Sequence, residues 1–316
     1  MNLNQIEYFN ELVRWQNFSK AAQSLNISQP ALSLQIQKLE EELGFKLVNR
    51  LKKPMKLTPE GEIFLERARE ILHQVDELRN IALEMEDAVS GTLHIGIIPT
   101  LSPYFLPLFI NDLNRNFPDL QLEVEELITG QIITGLKTGN LDAGIISTPV
   151  ETNGIEITPM FYERFYLYVS DKHPLFENKE IDTNSLDTED IWYLKEGNCF
   201  QNQVNAICRL AGKPTKGENL VYSSNSIESL RRIVETRKGI TFIPELATLG
   251  VASEYEDLIK PLSGEQPVRE ISLVQARKGW KSRLVEAFLQ TSMAAIPERM
   301  KTKPKQNIVD TELRIS

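Results

Sequence analysis

Residues 18–40 read FSKAAQSLNISQPALSLQIQKLE, and this stretch decides the fold of the amino-terminal part of the chain. The spacing predicts a short helix over residues 18–25, with two adjacent alanines that let a neighbouring helix approach closely. A two-residue turn follows. Ser28 is the expected N-cap of the next helix, and Pro30 lies in its first turn, where proline is tolerated. The stretch therefore predicts a helix-turn-helix.

The second of these helices has two faces of different chemistry. One face is apolar and is expected to be buried; it consists of Leu32, Ile36 and Leu39. Gln29, Ser33 and Gln37 project from the other side, at the spacing that a helix in a DNA major groove needs to reach base edges. A solvated polar face is the alternative interpretation of the same three residues.

A basic hairpin is predicted after this helix. Residues 45–57 form two short strands whose tip carries Arg50, Lys52, Lys53 and Lys56. Such a wing would grip DNA phosphates and set the register without reading sequence. The predicted DNA-binding residues are Ser28, Gln29, Pro30, Ser33, Gln37, Arg50, Lys52 and Lys53.

This ordered run of residues resembles the LysR-type transcriptional regulators. The resemblance is carried by Phe18-Ser19-Lys20-Ala21-Ala22, Leu25, Ile27 to Ser33, Ile36, Leu39-Glu40, Leu43-Gly44, Leu47, Arg50, Leu57-Thr58 and Gly61. The family pattern often has Arg where this chain has Leu34. The resemblance implies binding of double-stranded promoter DNA, recruitment of RNA polymerase, and assembly as a homodimer or homotetramer.

A long helix is predicted from Pro59, with Thr58 as its N-cap. Apolar residues recur along it at alternating spacings of four and three: Phe64, Ala68, Ile71, Val75, Leu78, Ala82 and Met85. This heptad seam favours a partner helix from a second copy of the chain, which predicts a dimer. The alternative is that the seam packs against its own domain.

Strand and helix patterns alternate after Gly91, which predicts an α/β domain with largely parallel sheets. The candidate strands are Leu93–Ile98, Leu120–Leu127, Asp142–Ile146, Phe165–Val169, Ile191–Leu194, Leu220–Tyr222, Ile240–Ile243 and Ile271–Val274. The chain can cross from one lobe to another near Met160-Phe161 and return near Pro267-Val268, which predicts two lobes around a cleft. In this part the family is similar to the periplasmic binding proteins.

Four regions are therefore predicted. Residues 1–58 form an all-α winged helix-turn-helix domain, residues 59–90 a linker and dimerisation helix, residues 91–300 a two-lobed α/β regulatory domain, and residues 301–316 a flexible tail.

The chain has two cysteines, Cys199 and Cys208, on one predicted helix. Asn198 and Gln201 form a possible capping box that places Cys199 at the first helical position, where the helix dipole favours a thiolate. Nine residues of helix separate the thiols by about 13 Å, whereas a disulfide needs Cα atoms within about 7 Å. The pair predicts a redox switch that must melt the helix. Two inert, buried thiols are the alternative.

Within the family, the chain is similar to the peroxide-sensing members. Thr100, the Gly197 to Cys208 run, residues 226–231, residues 239–244 and Arg269 carry this match. It implies that Cys199 is the peroxidatic thiol and Cys208 the resolving one, with Thr100, Ser102, Asn198 and Arg269 around the peroxide or ligand. These members commonly have His where this chain has Asn198, so thiolate formation is expected to depend on the helix terminus and on Arg269.

Composition agrees with a cytosolic regulator. The net charge is −9, but residues 1–60 carry eight Lys/Arg against six Glu, a net +2, so acid is kept away from the predicted DNA-binding segment. There is no export signal and no apolar run long enough to span a membrane. With three histidines, no zinc spacing and no glycine-rich phosphate loop, neither a metal nor another cofactor is indicated.

The sequence thus predicts a DNA-binding transcriptional regulator that senses hydrogen peroxide through a reversible Cys199–Cys208 disulfide and controls oxidative-stress genes. One alternative is a LysR-type regulator gated by a small anionic metabolite in the inter-lobe cleft, bound by Thr100, Ser102 and Arg269. A second alternative is a thiol peroxidase, for which the chain lacks a reductase-docking cysteine motif; we expect that it is not an enzyme.

Overall fold

The computed structural model describes residues 1–50, 55–84, 89–195, 198–208, 216–217, 220–222, 224–264, 266–276, 282–305 and 308–315. The chain divides into two compact units. The first comprises Met1–Ala88 with Thr138–Asn140, and the second comprises Val89–Lys137 with Leu141–Ser316.

The first unit is a winged helix-turn-helix followed by a long helix, as predicted. Its elements are α1 (Leu3–Trp15), α2 (Phe18–Ser24), α3 (Gln29–Leu43), β1 (Val48–Asn49), β2 (Lys56–Leu57) and α4 (Pro59–Glu84). The β1 and β2 strands pair antiparallel and form the wing. The core includes the predicted stripe of α3 together with Phe9 and Leu47. The tip residues Lys52 and Lys53 lie outside the described residues.

Side-chain caps define where these helices begin. The Ser28 hydroxyl accepts a hydrogen bond from Ala31 N at 3.3 Å, and the Thr58 hydroxyl accepts one from Gly61 N at 2.9 Å. Both caps were predicted, because a hydroxyl at the N-cap satisfies an amide that the helix leaves unpaired. At the other end of α3, Gly44 adopts φ +79°, a left-handed conformation that ends the helix without the steric strain a Cβ would cause.

Gly61 allows α4 to pack against the wing. A Cβ at this position would overlap the Leu47 carbonyl oxygen and its carbon. Since both atoms belong to the backbone, no side-chain rotation could relieve the clash. The close approach of α4 to the strand that follows Leu47 therefore requires glycine.

The seam of α4 is divided between two uses. Phe64 contacts Phe9 edge-to-face at 5.4 Å between ring centroids, and Ala68 is buried, so this first part packs against its own domain. Ile71 and Leu78 are 40% and 68% exposed. Ala68 is therefore closed to a partner helix, against the dimerisation role predicted for it, whereas the roles of Phe64, Ile71, Val75 and Leu78 stay predictions. The side chain of Ala82 and all of Met85 lie outside the described residues.

The second unit is an α/β domain. Its strands are β3 (Gly91–Ile97), β4 (Leu120–Glu126), β5 (Ala143–Thr148), β6 (Glu151–Thr152), β7 (Ile155–Val169), β8 (Lys216–Gly217), β9 (Leu220–Val221), β10 (Ile240–Pro244), β11 (Ile259–Pro261), β12 (Val268–Ala276) and β13 (Arg314–Ile315). Its α-helices are α5 (Ser102–Asn116), α6 (Thr129–Lys137), α7 (Cys199–Cys208), α8 (Ile227–Thr236), α9 (Ser282–Ala295) and α10 (Glu298–Lys301). Short 3-10 helices occupy Pro174–Glu177, Thr183–Ser185, Thr188–Asp190, Glu245–Thr248 and Ser253–Leu258.

The main sheet corrects the prediction of largely parallel strands. Its order is β10-β7-β12-β5-β3-β4, with β11 also paired to β7. Only β3 pairs parallel, with β4 and β5; the contacts of β7 with β10, β11 and β12, and of β12 with β5, are antiparallel. The reason is that β7 is 15 residues long and β12 returns beside it in the opposite direction. Of the predicted Ile191–Leu194 strand, only a bridge at Ile191 forms.

Two hydrophobic cores give this unit two lobes. The first lies around β3, β4 and β5 and includes Phe105 and Phe288, and the second lies around β10 and α8 and includes Phe200 and Leu230. The β7 strand contributes Phe161 to the first core and Leu167 to the second, so it passes from one lobe to the other. The predicted crossing at Met160-Phe161 lies within this strand.

The predicted flexible tail is wrong for residues 308–315. Thr311 is fully buried, and its hydroxyl donates to Pro149 O. The β13 strand pairs parallel with β6, and Val309 packs against the second core. The lysine-rich segment 301–305 suggested solvent exposure for the whole tail. The apolar residues after it, Val309, Leu313 and Ile315, instead pack against the two cores.

Candidate redox site and nucleic-acid interface

The helix that carries both cysteines spans Cys199–Cys208, and its start at Cys199 is as predicted. Asn198 caps it, because its side-chain oxygen accepts from Phe200 N at 3.0 Å. Gln201 does not complete the capping box. Its oxygen accepts instead from Leu194 N at 2.8 Å, which ties the first turn of α7 to the segment before it. Cys199 thus occupies the first helical position through Asn198 alone.

The two cysteines are free thiols in different surroundings. Cys199 is 3% exposed and packs in the first core, whereas Cys208 is half-buried against the second core. They stand at opposite ends of a ten-residue helix, about 13 Å apart along its axis. A disulfide cannot form while this helix is intact.

Burial dominates the acidity of both thiols. It raises the pKa of Cys199 above its ordinary value, against the opposing effects of the Arg269 charge, the Thr129 hydroxyl and the backbone N–H groups of Phe200 and Ser147. Burial alone raises the pKa of Cys208 to about 12. Burial therefore opposes thiolate formation at Cys199 more strongly than Arg269 and the amide at the start of the helix favour it, and the dependence of the thiolate on these two groups stays a prediction.

Arg269 is fully buried and already has partners. Its Nε donates to Glu163 Oε1 at 2.8 Å, and its Nη1 donates to the Thr100 hydroxyl at 3.1 Å. Its guanidinium carbon lies 4.9 Å from the centroid of the Phe200 ring. The structure therefore brings Thr100, Arg269 and the start of α7 together, as predicted. Glu163, which the sequence interpretation missed, forms a buried ion pair with Arg269, whose charge is the largest of the effects that lower the pKa of Cys199.

Two buried polar groups at this site lack an ordinary hydrogen-bond partner in the described part of the chain: the Asn198 side-chain nitrogen has none, and the Thr129 hydroxyl has only the Cys199 thiol. Thr129 lies beside the Cys199 thiol closely enough to lower its pKa. Such unpaired groups are costly in a protein interior and are common where a ligand binds. Thr129 was not predicted, although it starts α6 just after β4, the same strand-to-helix position as Thr100 after β3.

Ser102 is buried at the first residue of α5, where its backbone N–H donates to Ile98 O at 3.1 Å. Its assignment to the ligand pocket stays a prediction. Among the described residues, no group of three or more His, Cys, Asp or Glu side chains could hold a metal ion.

The face of α3 that was predicted to bind DNA is accessible. Ser28, Gln29, Pro30 and Gln37 are exposed, and Ser33 is half-buried. Arg50 of the wing reaches this face, because its Nη1 donates to the Ser33 hydroxyl at 3.1 Å. The wing and the helix therefore present one continuous surface.

Glu40 joins the wing to α3 and was not singled out as functional from the sequence. It is buried, and its Oε1 accepts from Leu47 N at 3.0 Å and Val48 N at 3.3 Å. Its Oε2 lies 3.0 Å from Lys46 Nζ and 3.5 Å from Arg50 Nη2. One carboxylate thus fixes the start of β1 and aims two basic side chains.

Two family descriptions match the chain. "Bacterial regulatory helix-turn-helix protein, lysR family" matches residues 3–62, and "LysR substrate binding domain" matches residues 86–296. The chain belongs to the LysR family. It is a LysR-type transcriptional regulator, with the helix-turn-helix and the two-lobed regulatory domain of that family.

Relatives of this LysR-family chain carry informative names. The hydrogen peroxide-inducible genes activator of Haemophilus influenzae is 37% identical over 274 residues, which cover 87% of this chain and 90% of the relative. The DNA-binding transcriptional dual regulator OxyR of Escherichia coli K12 is 34% identical over 274 residues, 87% of this chain and 89% of the relative.

Solved structures agree in fold with this LysR-family chain. A full-length OxyR variant from Pseudomonas aeruginosa superposes with a TM-score of 0.78 at 29% identity, covering 97% of this chain and 99% of that one. The reduced OxyR of Porphyromonas gingivalis gives a TM-score of 0.60 at 31% identity, covering 68% of this chain and 98% of that one. No helix in the described residues has the length and apolar character needed to cross a membrane.

Proposed function

We propose that this LysR-type regulator senses hydrogen peroxide through Cys199 and Cys208 and controls oxidative-stress genes from promoter DNA. The observation that carries the proposal is a pair of free thiols held apart by α7, one of them beside the two buried polar groups that lack an ordinary partner. The names of its relatives support the same function.

Hydrogen peroxide supplies the oxidising equivalents. The Cys199 sulfur attacks one peroxide oxygen, the O–O bond breaks, and the leaving hydroxide takes the thiol proton and departs as water. Cys199 is then a sulfenic acid. The Cys208 sulfur attacks the Cys199 sulfur, the S–O bond breaks, and a second water leaves. Two thiols and one peroxide thus give one disulfide and two waters.

The residues around Cys199 have distinct roles in this step. The Thr129 hydroxyl and the Asn198 side-chain nitrogen hold the peroxide, because both are buried beside Cys199 and the nitrogen has no other partner. The Thr100 hydroxyl accepts from Arg269 and orients its own proton towards the pocket. Arg269 favours negative charge on sulfur and on the leaving oxygen. Ser102, the buried first residue of α5, lines the same site.

Disulfide formation forces a local change of fold. Because α7 separates the thiols by about 13 Å, it must unwind before Cys208 can reach Cys199. Phe200 and Val204, which α7 buries in the second core, must then leave their sites. Oxidation therefore exchanges one packing of this lobe for another, the kind of two-state element that transmits a signal.

The oligomer transmits the change in the regulatory domain to the DNA-binding domains. The exposed part of the α4 seam pairs with a second copy, giving a homodimer or a dimer of dimers. Two α3 helices then reach two half-sites about one DNA turn apart, and the wings hold the phosphates. A changed subunit interface alters the spacing of these heads, and with it the recruitment of RNA polymerase. Promoter binding places the protein in the cytoplasm.

The decisive experiment compares footprints of the reduced and peroxide-treated full chain on its own promoter, together with peptide mass spectrometry. We expect a linked Cys199–Cys208 peptide at stoichiometric peroxide and a shifted footprint. Cys199→Ser should keep DNA binding but hold one footprint with or without peroxide. A shift that persists in Cys199→Ser would contradict the assignment.

A regulator gated by an anionic metabolite is the competing function. The neutralisation of Arg269 by Glu163, at 2.6 Å between Nη2 and Oε1, counts against it, because an incoming anion would find the charge already paired. No linked peptide in the mass spectrometry experiment would restore this alternative.

A further inference from the structure

The end of the chain packs directly on the helix that carries the two cysteines. Asn202 Nδ2 donates to Thr311 O at 3.0 Å, and Gln203 Nε2 donates to Val309 O at 2.8 Å. Asn202 and Gln203 are neighbours in α7, and their two acceptors are two residues apart in the tail. Two consecutive side chains of the redox helix are therefore hydrogen-bonded to one extended strand of chain.

Gln203 also connects the helix to the first lobe. It is fully buried, and its oxygen accepts from the Ser147 hydroxyl at 3.2 Å. Ser147 belongs to β5, and its backbone N–H also faces the Cys199 thiol. One side chain thus links the tail, the redox helix and the strand beside the reactive sulfur.

The tail itself is held at several points along its length. Val309 N donates to Val268 O at 2.9 Å, and Glu151 N donates to Leu313 O at 3.1 Å. Val309 packs against the second core, whereas Leu313 and Ile315 pack against the first. Since it is anchored on both lobes, the tail does not simply follow α7 when the helix moves.

We propose that residues 308–315 form a latch that holds α7 helical in the reduced protein, with Asn202 and Gln203 as its positioning residues. Both side chains lie between Cys199 and Cys208, so the helix cannot unwind without breaking their bonds to the tail. The latch adds to the cost of opening and sets how readily Cys208 reaches oxidised Cys199. Its meaning for sensing rests on the function proposed above, but the latch itself is a property of the reduced chain.

The first test needs no peroxide. Amide hydrogen exchange of residues 199–208 is measured in the reduced full chain, in Asn202→Ala, and in a chain that ends at Lys305. Exchange in α7 should quicken by about fivefold in Asn202→Ala, as expected for one lost hydrogen bond, and by more in the shortened chain. Alanine is the better helix former, so intrinsic propensity alone would slow exchange.

Two matched variants serve as controls. Asn205→Ala makes the same propensity change on the same helix. It removes only the hydrogen bond that Asn205 accepts from Gln201 one turn earlier, and such a pair within a helix stabilises it weakly. Arg314→Ala removes only an exposed ion pair of the tail with Glu151. Both should leave exchange in α7 within about twofold of the wild type.

The second test measures the rate at which the Cys199–Cys208 disulfide forms at stoichiometric peroxide in the same chains. Faster exchange together with a faster disulfide supports the latch. Unchanged exchange in Asn202→Ala overturns it, whatever peroxide does and even if the shortened chain unfolds. Faster exchange with no disulfide in any chain keeps the latch and overturns peroxide sensing instead.

Discussion

At the scale of single residues, the chemistry of Cys199 is decided by competition between burial and nearby polar groups. The sequence placed the cysteine correctly at a helix N-terminus, which by itself lowers a thiol pKa. It could not show that the site is sealed, nor that Glu163, 106 positions from Arg269 in the chain, pairs with that cation. Both facts depend on tertiary packing, and burial raises the pKa of the thiol.

The raised pKa of Cys199 predicts a pH-dependent sensing rate. Only the thiolate is a good nucleophile, and its fraction grows about tenfold per pH unit below the pKa. The rate of sulfenic acid formation in Cys208→Ser should therefore rise steadily from pH 6 to pH 8. Stopped-flow measurement with excess peroxide checks this. A plateau already at pH 7 would mean that the thiol is ionised at rest.

Glu40 should matter more than its neighbour on the same helix. Glu40→Gln weakens bonds to two backbone amides and two cations at a buried site, and should cost about 1.5–3 kcal/mol of unfolding free energy. It should also weaken DNA binding, because Arg50 loses a partner. Glu41→Gln, at an exposed position, should change stability by at most about 0.5 kcal/mol. Urea melts of both variants make the comparison, and equal midpoints would refute this role of Glu40.

At the scale of elements, local patterns predicted helices better than they predicted strand partners. The caps Ser28 and Thr58 and the start of α7 at Cys199 were correct, since a helix is closed by residues near in sequence. Strand direction was not, because β7 and β12 pair across more than 100 residues. The heptad seam of α4 was correct as a periodicity, but its first turns serve the domain's own core.

The exposed part of that seam predicts a matched pair of variants. Leu78→Glu places a charge where a partner helix should pack, and should weaken the dimer by at least about 2 kcal/mol. Ile63→Glu changes an equally exposed residue of the same helix, 67% against 68%, that lies off the seam. Sedimentation should show a shift towards monomer for Leu78→Glu only. An equal shift towards monomer in both variants would contradict dimerisation through the seam.

At the scale of the whole molecule, an acidic protein must still approach a polyanion. The net charge of −9 hides the modest basic excess of residues 1–60, so binding depends on a few well-aimed cations. This separation of charge was visible in the sequence. The ordered tail was not, because the apolar residues that anchor it are scattered and reach their core surfaces only in the folded domain.

Salt dependence tests which cations meet the phosphates. In a dimer, Lys52→Ala with Lys53→Ala removes four charges, and the slope of log K against log salt should become shallower by about 3 to 4. Lys303→Ala with Lys305→Ala removes as many charges from the tail and should leave the slope unchanged. Titrations on promoter DNA between low and moderate salt measure both. Equal slopes in the two double variants would contradict a phosphate-gripping wing.

The strands β7 and β12 pair antiparallel, β7 passes from one lobe to the other, and Arg269 lies in register with Glu163 between the two strands. The ladder of hydrogen bonds and the buried Arg269–Glu163 ion pair both resist separation of these strands. Closing the two lobes around a ligand would have to break hydrogen bonds between these strands or the buried ion pair. Lobe closure is therefore an unfavourable response for this domain. A stimulus can instead refold one small element while the rest of the domain stays in place. The ten-residue helix with a cysteine at each end is the element that can refold.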